Sequence, residues 1–206
     1  MFKKCIVFIL MILGFTIYCL NAYADDNNVL AFKKSDKEHK SLSSAIGISV
    51  NSEGEIALGF RDNYINVYDG NGRFINGYSF KTSGSYVFGY DTKDNIMIFS
   101  VRAGRCYFFN KDAKLLEYRG FSNSTEEDRY YSSLKGNRKV SINGNLYELS
   151  ELFGYTKLIK TGANENKTII YDIGWVYAVK ILIGVFKVLF IIIVLVTIKK
   201  AIKQLG

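Results

Sequence analysis

The chain carries three kinds of apolar pattern. Cys5 to Leu20 is a short unbroken apolar run. Through the middle, short apolar runs alternate with breaks rich in Gly, Asn and Asp. From Gly174 to Ile198 the sequence "GWVYAVKILIGVFKVLFIIIVLVTI" is again continuously apolar, interrupted only by Lys180 and Lys187. Short runs between turn residues predict β-strands, whereas long continuous runs predict segments that enter a membrane.

The middle pattern predicts strands at Ala45 to Val50, Glu55 to Phe60, Tyr64 to Tyr68 and Arg73 to Phe80. Asp69-Gly70-Asn71-Gly72 separates the last two, and Gly and Asn tolerate the positive φ of a tight hairpin. The pattern then returns. "EIALGFRDNYINVYDGNGRFINGYSF" (55–80) is echoed by "NIMIFSVRAGRCYFFNKDAKLLEYRGF" (95–121). Ile56 matches Ile96 and Leu58 matches Ile98. After one extra loop residue, Val67 matches Phe108, Tyr68 matches Phe109, Asp69 matches Asn110, Arg73 matches Lys114, Phe74 matches Leu115 and Phe80 matches Phe121. A worn third copy is read at Lys139 to Thr161, with Tyr147 set against Tyr107, Leu149 against Phe109, and Lys157-Leu158-Ile159 against Lys114-Leu115-Leu116. Runs such as "IMIF" and "CYFF" are apolar on both strand faces and predict sheets covered on both sides.

A period near forty residues with about four strands per unit is that of a propeller blade. "IALGFRDNYINVYDGNGRF" resembles an NHL-type propeller repeat through Ile56, Ala57, Leu58, Ile65, Val67, Tyr68, Asp69, Gly72 and Phe74. The second copy departs from that pattern at Asn110 and Ala113. The resemblance covers about two copies, and it implies a β-sheet scaffold that binds something, with no catalytic residue. The expected fold class is therefore all-β: two to three propeller-blade-like antiparallel β-meander units forming an incomplete propeller, with an N-terminal signal segment and one C-terminal transmembrane helix. Closed propellers use about 4 to 8 blades. Fewer blades leave apolar faces and strand edges that a lipid surface, a second copy or another protein must cover.

The ends set the expected organisation. Lys3 and Lys4, the apolar run and Ala22-x-Ala24 predict a signal segment over 1–24, cleaved between Ala24 and Asp25. An uncleaved signal anchor is the alternative. Tyr18 before Cys19 excludes a lipoprotein signal. A polar stalk (25–44), an extracytoplasmic β-repeat domain (45–173), a transmembrane helix (174–198) and a cytoplasmic basic tail (199–206) follow. Trp175 and Tyr177 suit a membrane interface, and Lys199, Lys200 and Lys203 favour a cytoplasmic C-terminus. Either fate of the signal leaves the bulk of the chain outside.

Charge changes the picture less than its total suggests. The formal net charge is +8, from 27 Lys and Arg against 19 Asp and Glu. All 19 acids lie between Asp25 and Asp172. Seven of the lysines (3, 4, 180, 187, 199, 200 and 203) lie in or beside the apolar ends, so the middle holds 20 bases against those 19 acids. No basic stripe tracks phosphates there, and nucleic acid is not an expected partner. Cys106 is the only cysteine outside the signal segment and is expected as a buried, inert thiol. The wealth of Lys, Asn, Ile and Tyr, without proline, suits an AT-rich bacterial genome.

Candidate chemistry is thin. The only histidine, His39, falls in the polar stretch "KKSDKEHKSLSS", read as flexible. Asp69-Gly70-Asn71-Gly72 lacks the later acidic ligand of a calcium loop and reads as a hairpin turn. Asp62, Asp91 and Asp94 fall in turns, where solvated carboxylates belong. Asn123-Ser124-Thr125 and Asn166-Lys167-Thr168 match the glycosylation acceptor pattern, as chance supplies in an Asn-rich chain. No cofactor or metal is implied. Lys180 and Lys187 share a helix face, and a lysine in mid-membrane costs about 2.5–3.5 kcal/mol, so both are candidate contacts to an intramembrane partner, with snorkelling as the alternative. These residues point to a non-catalytic, membrane-anchored binding or assembly module, with the lipid bilayer, a membrane protein or a second copy as partners. A cell-surface hydrolase using turn carboxylates and a purely structural subunit are the alternatives.

Overall fold

The computed structural model describes residues 30–203 apart from 83, 122, 123 and 153. The signal segment and the Ala24–Asp25 bond lie outside the described residues. The elements run β1 (Lys33–Ser35), β2 (Ala45–Val50), β3 (Ile56–Phe60), β4 (Tyr64–Tyr68), β5 (Phe74–Ser79), β6 (Tyr86–Tyr90), β7 (Ile96–Ser100), β8 (Arg105–Phe109), β9 (Leu115–Gly120), α1 (Ser124–Leu134), β10 (Lys139–Ile142), β11 (Asn145–Leu152), β12 (Tyr155–Thr161), β13 (Lys167–Asp172) and α2 (Val176–Lys203). They form three antiparallel sheets, ordered β1-β5-β4-β3-β2, β6-β7-β8-β9 and β10-β11-β12-β13. The chain is thus mostly β, in three open blade-like meanders followed by one apolar helix. Contacts divide it into two compact units, 35–77 with 136–206, and 78–135 with the segment ending at Lys34.

The sequence echo is a structural echo. Ile56 pairs with Tyr68 and Leu58 with Asn66; forty residues on, Ile96 pairs with Phe109 and Ile98 with Tyr107. All four of Ile56, Leu58, Ile96 and Ile98 are buried. The third copy exists but is offset by one strand from the sequence reading. Tyr147 and Leu149 lie in β11, the second strand of their sheet, whereas Tyr107 and Phe109 lie in β8, the third. The fourth strand is β13, beyond the expected end at Thr161. The longer strands β11 and β12 carry the extra residues that misaligned the copies.

One turn recurs at the ends of the meanders. At Asp69 the carboxylate Oδ1 accepts from Asn71 N and Arg73 N, both at 2.9 Å, while Gly72 N donates to Asp69 O at 3.0 Å. Asn110 does the same with Asp112 N (3.0 Å), Lys114 N (2.9 Å) and Ala113 N (3.0 Å). Asp91 repeats it with Lys93 N and Asn95 N at 2.8 Å. In each turn the fourth residue is left-handed: φ is 85° at Gly72, 63° at Ala113 and 60° at Asp94. This is a three-residue hairpin loop, a type I turn closed by one left-handed residue. It needs an acceptor at its first position and no charge, so Asn110 replaces Asp69 without loss. The Asp69 oxygens are committed to the turn and to Arg73 Nε, which settles this loop as a hairpin turn.

Each unit has its own core. In one, Ile48, Ile56, Leu58, Phe60 and Tyr68 pack against Tyr147, Leu149, Leu158, Ile170 and Tyr171. Ile48 N donates to Asn137 O at 2.9 Å, and Gly47 lies against Gly136 so closely that a Cβ on it would stand 2.9 Å from the Gly136 Cα. In the other unit, Val87, Phe99, Cys106 and Phe108 pack against Leu134 and Tyr131 of α1. The opposite face of that sheet carries Phe109, which stacks on Phe32 at 4.1 Å, and Phe32 stacks on Tyr78 at 4.8 Å. Helix α1 has no signature in the apolar pattern of the sequence. Its mean pattern is polar, with Glu126 and Glu127 in the first turn, where they favour the helix dipole.

The turn at Gly72 makes a quantitative test. Its φ is 85°, and a Cβ there would meet Ile169 O at 2.6 Å; Gly54 has φ 80° with open space around it. Gly54→Ala should cost about 1 kcal/mol of backbone strain. Gly72→Ala should cost about 3 kcal/mol, because strain and a backbone clash add. Thermal unfolding of the two variants in the same detergent measures the difference, and equal melting points would refute the contact between this turn and β13.

Candidate functional site

Three places gather functional side chains: a polar strap, an open cleft and the exposed helix. The strap is the stretch read as a stalk. Asn66, buried in the apolar run of β4, donates from Nδ2 to His39 O at 2.8 Å and accepts from His39 N at 3.2 Å. His39 stacks on Tyr64 at 3.9 Å, and its Nε2 lies 2.7 Å from Asp62 Oδ2. Ser41 Oγ donates to the same Oδ2 at 2.8 Å, and Ser43 N donates to Ser41 Oγ at 2.9 Å. Tyr68 OH donates to Glu38 Oε1 at 2.8 Å, and Lys40 Nζ lies 2.9 Å from that oxygen and 4.5 Å over the Tyr171 ring. Over this stretch the segment is therefore a bound strap. A buried Asn must be hydrogen-bonded, and here its partner is the strap's backbone.

His39, Ser41 and Asp62 are the residue types of a hydrolytic triad, but their geometry denies that role. Serine and histidine both bind one carboxylate oxygen, so the imidazole does not stand between Asp62 and Ser41. Ser41 is also fully buried. A nucleophile needs contact with its base and access to substrate. Asp62 is accordingly a structural acceptor rather than the solvated turn carboxylate expected from sequence. Burial pushes its pKa up, but hydrogen bonds from His39 and Ser41 outweigh that and hold it below the ordinary carboxylate range. Burial and then Glu38 push the phenol of Tyr68 far up, so it stays a donor.

The cleft, about 560 Å³, opens on the sheet face beside α1 and is lined by Met97, Phe108, Tyr130, Arg119, Glu117 and Lys93 among others. Glu117 and Arg119 stand on the edge strand β9, opposite Phe108 and Cys106. Arg119 lies 5.2 Å over the Phe108 ring, and its NH1 donates to Tyr130 OH at 3.1 Å. The Arg119 guanidinium beside Glu117 holds that carboxyl below its usual range. Asp91, also on the rim, is consumed by its turn. The cleft offers aromatic faces, one oriented cation and carboxylates already paired: a binding surface rather than an acid–base pair. Cys106 is fully buried in β8, packed in the core with Phe99 and Leu134, and burial pushes its thiol up to about 12, which makes it inert.

Helix α2 is the third place. Val176–Lys200 contains an 18-residue window with a mean hydropathy of 3.1 and is long and apolar enough to cross a membrane. Of the two expected intramembrane residues, Lys180 is engaged within the chain, donating from Nζ to Gly154 O at 3.1 Å, and Lys187 is exposed on the helix surface. Among the described residues, no cluster of three or more His, Cys, Asp or Glu is arranged to hold a metal.

No protein-family profile matches the chain, and no curated protein matches it. Similar solved structures include virginiamycin B lyase from Staphylococcus aureus, 12% identical with a TM-score of 0.34, and a catalytically inactive variant of that enzyme with quinupristin, 12% identical with a TM-score of 0.33. Each match covers 68% of this chain and 45% of the other, so the chain spans less than half the length of these structures. Likeness at this level carries nothing about activity.

The Asp62 cluster sets an acid limit on stability. A carboxyl whose folded pKa is depressed contributes stability above its unfolded pKa, about 3.9, and that contribution fades as pH falls through the folded value. Asp62→Asn should lower stability at pH 7 by on the order of 1–2 kcal/mol, since it weakens charge-assisted hydrogen bonds. The gap between variant and wild type should shrink towards pH 3. Denaturant titrations across that range check it, and a constant gap would overturn the assignment.

Proposed function

We propose that the chain is a membrane-anchored extracytoplasmic β-repeat module that binds ligands or assembles with another membrane protein. One observation carries this reading: α2 follows β13 after three residues and exposes apolar side chains from Ile181 to Ile198. Exposed apolar surface on that scale requires lipid or a partner. The lysines beyond Ile198 favour a cytoplasmic C-terminus with the sheets outside. Two surfaces support binding or assembly. The cleft beside α1 suits a ligand with a flat apolar face and polar edges. The outer face of the β10–β13 sheet leaves Leu146 and Ile169 exposed, beside the Lys139–Glu148 ion pair at 2.7 Å. The reading is non-catalytic, because the carboxylates in the cleft and the strap are committed to structural partners.

Protease added to intact cells, or to spheroplasts where an outer layer blocks access, should remove the β-sheet portion and leave a fragment with the C-terminal lysines. A tag at Gly206 accessible from outside would refute the orientation. Lys187 tests the partner. Lys187→Leu favours insertion by roughly 3 kcal/mol. If Lys187 pairs with an intramembrane group, the variant should insert normally and lose a co-purifying membrane protein in mild detergent. Retention of every wild-type partner would remove Lys187 from the interface and leave the anchor alone.

A further inference from the structure

We propose that the end of the β11–β12 hairpin, at Leu152, Gly154 and Tyr155, rests in the headgroup layer of the membrane, as a second lipid contact beside α2; this rests on the reading of α2 as a membrane anchor. The burial pattern of α2 places the surface. Val176 is buried in the protein core, and Tyr177, Val179 and Lys180 are partly buried, whereas Ile181 and Leu182 are 48% and 54% exposed. The part packed on protein cannot face hydrocarbon, so the span begins at Ile181. From there to Ile198 the helix rises about 27 Å, close to the roughly 30 Å of a hydrocarbon core. Lys180 therefore sits at the boundary.

The hairpin reaches that same level. The Tyr155 ring meets Tyr177 edge-on at 5.1 Å. One residue nearer the tip, Gly154 O accepts from Lys180 Nζ at 3.1 Å. These two contacts in order show the hairpin descending along α2 towards its lipid-facing part. It is fixed there by Asp172, whose Oδ1 accepts from Tyr155 OH at 2.6 Å and from Gly174 N at 2.8 Å. One oxygen thus ties the hairpin to the peptide that enters the helix. Gly154 has φ 83°, a left-handed conformation that favours glycine where the hairpin turns beside Lys180. Across the hairpin from Tyr155, Leu152 is 69% exposed, and Trp175, before the helix, is 76% exposed. An exposed Leu alone means little. Leu152, level with Tyr155 and Tyr177, and Trp175 thus stand within about 9 Å above the first lipid-facing residue, in the headgroup layer where such side chains are placed.

Trp175 is the only tryptophan in the chain, so fluorescence reads the geometry directly. The full chain is reconstituted in phosphatidylcholine vesicles, with and without bromine on the acyl chains near the headgroups. A second protein carries Leu152→Trp with Trp175→Phe. Both tryptophans should emit to the blue of water-exposed indole, be quenched by half or more by the shallow bromines, and be shielded from acrylamide. Water-like emission from the Leu152→Trp protein, open to acrylamide and indifferent to bromine, would overturn the hairpin contact while a quenched wild-type Trp175 left the anchor standing. A blue shift at that position that appears only on adding a second membrane protein would assign the tip to a protein partner and overturn the lipid contact. If neither tryptophan is quenched and the chain does not float with the vesicles, the anchor reading itself fails.

Discussion

A sheet that is apolar on both faces must be covered on both faces, and this constraint organises the molecule. Strands β3, β4 and β8 bury nearly every residue, so neither face of their sheets tolerates water. In one unit two meanders answer the problem by facing each other through Ile56, Leu58, Leu149 and Leu158. In the other, α1 covers one face and the Phe32–Tyr78–Phe109 stack covers its opposite. Burying each of these aromatic side chains stabilises by about 2 kcal/mol or more. The two solutions use different elements because the constraint is non-directional and asks only for apolar area of the right shape.

The polar strap follows from the same constraint. A run of Lys, Glu, His and Ser cannot cover an apolar sheet by itself. It docks because Asn66, Asp62 and Tyr68 present hydrogen-bond partners at the sheet margin to His39, Ser41 and Glu38. Cooperative networks of this kind are stabilising only when complete. Ser41, His39 and Asp62 therefore look like chemistry and act as joinery.

The repeating strands were legible in the sequence because their signal is periodic: alternating apolar runs, Gly/Asn/Asp turns and a forty-residue echo. Helix α1 was not, because its charged and polar composition hides two packing residues, Tyr131 and Leu134, three positions apart. The strap looks flexible in sequence because polar composition reports solubility in isolation, whereas its partners lie more than twenty residues away. Asn66 inside "YINVY" was the available clue, since a polar amide in an apolar strand calls for a partner from elsewhere. The offset of the third meander arose where β11 and β12 lengthen and the hairpin between β10 and β11 shortens to Asn143-Gly144. The Lys180 contact was invisible because its acceptor, the Gly154 carbonyl, is backbone and carries no sequence signature.

The recurrent hairpin turn bears on how the protein ages. Asn110 uses only its carbonyl oxygen in the turn. Hydrolysis of that amide to a carboxylate would leave the acceptor in place, as Asp69 already demonstrates in the preceding meander. Asn51 occupies a similar turn but also donates its Nδ2 to Glu55 Oε2 at 2.7 Å. The same chemical change there would set two carboxylates face to face. Two asparagines in similar loops thus differ in their tolerance of slow damage, and the difference lies in which end of the amide each has put to use.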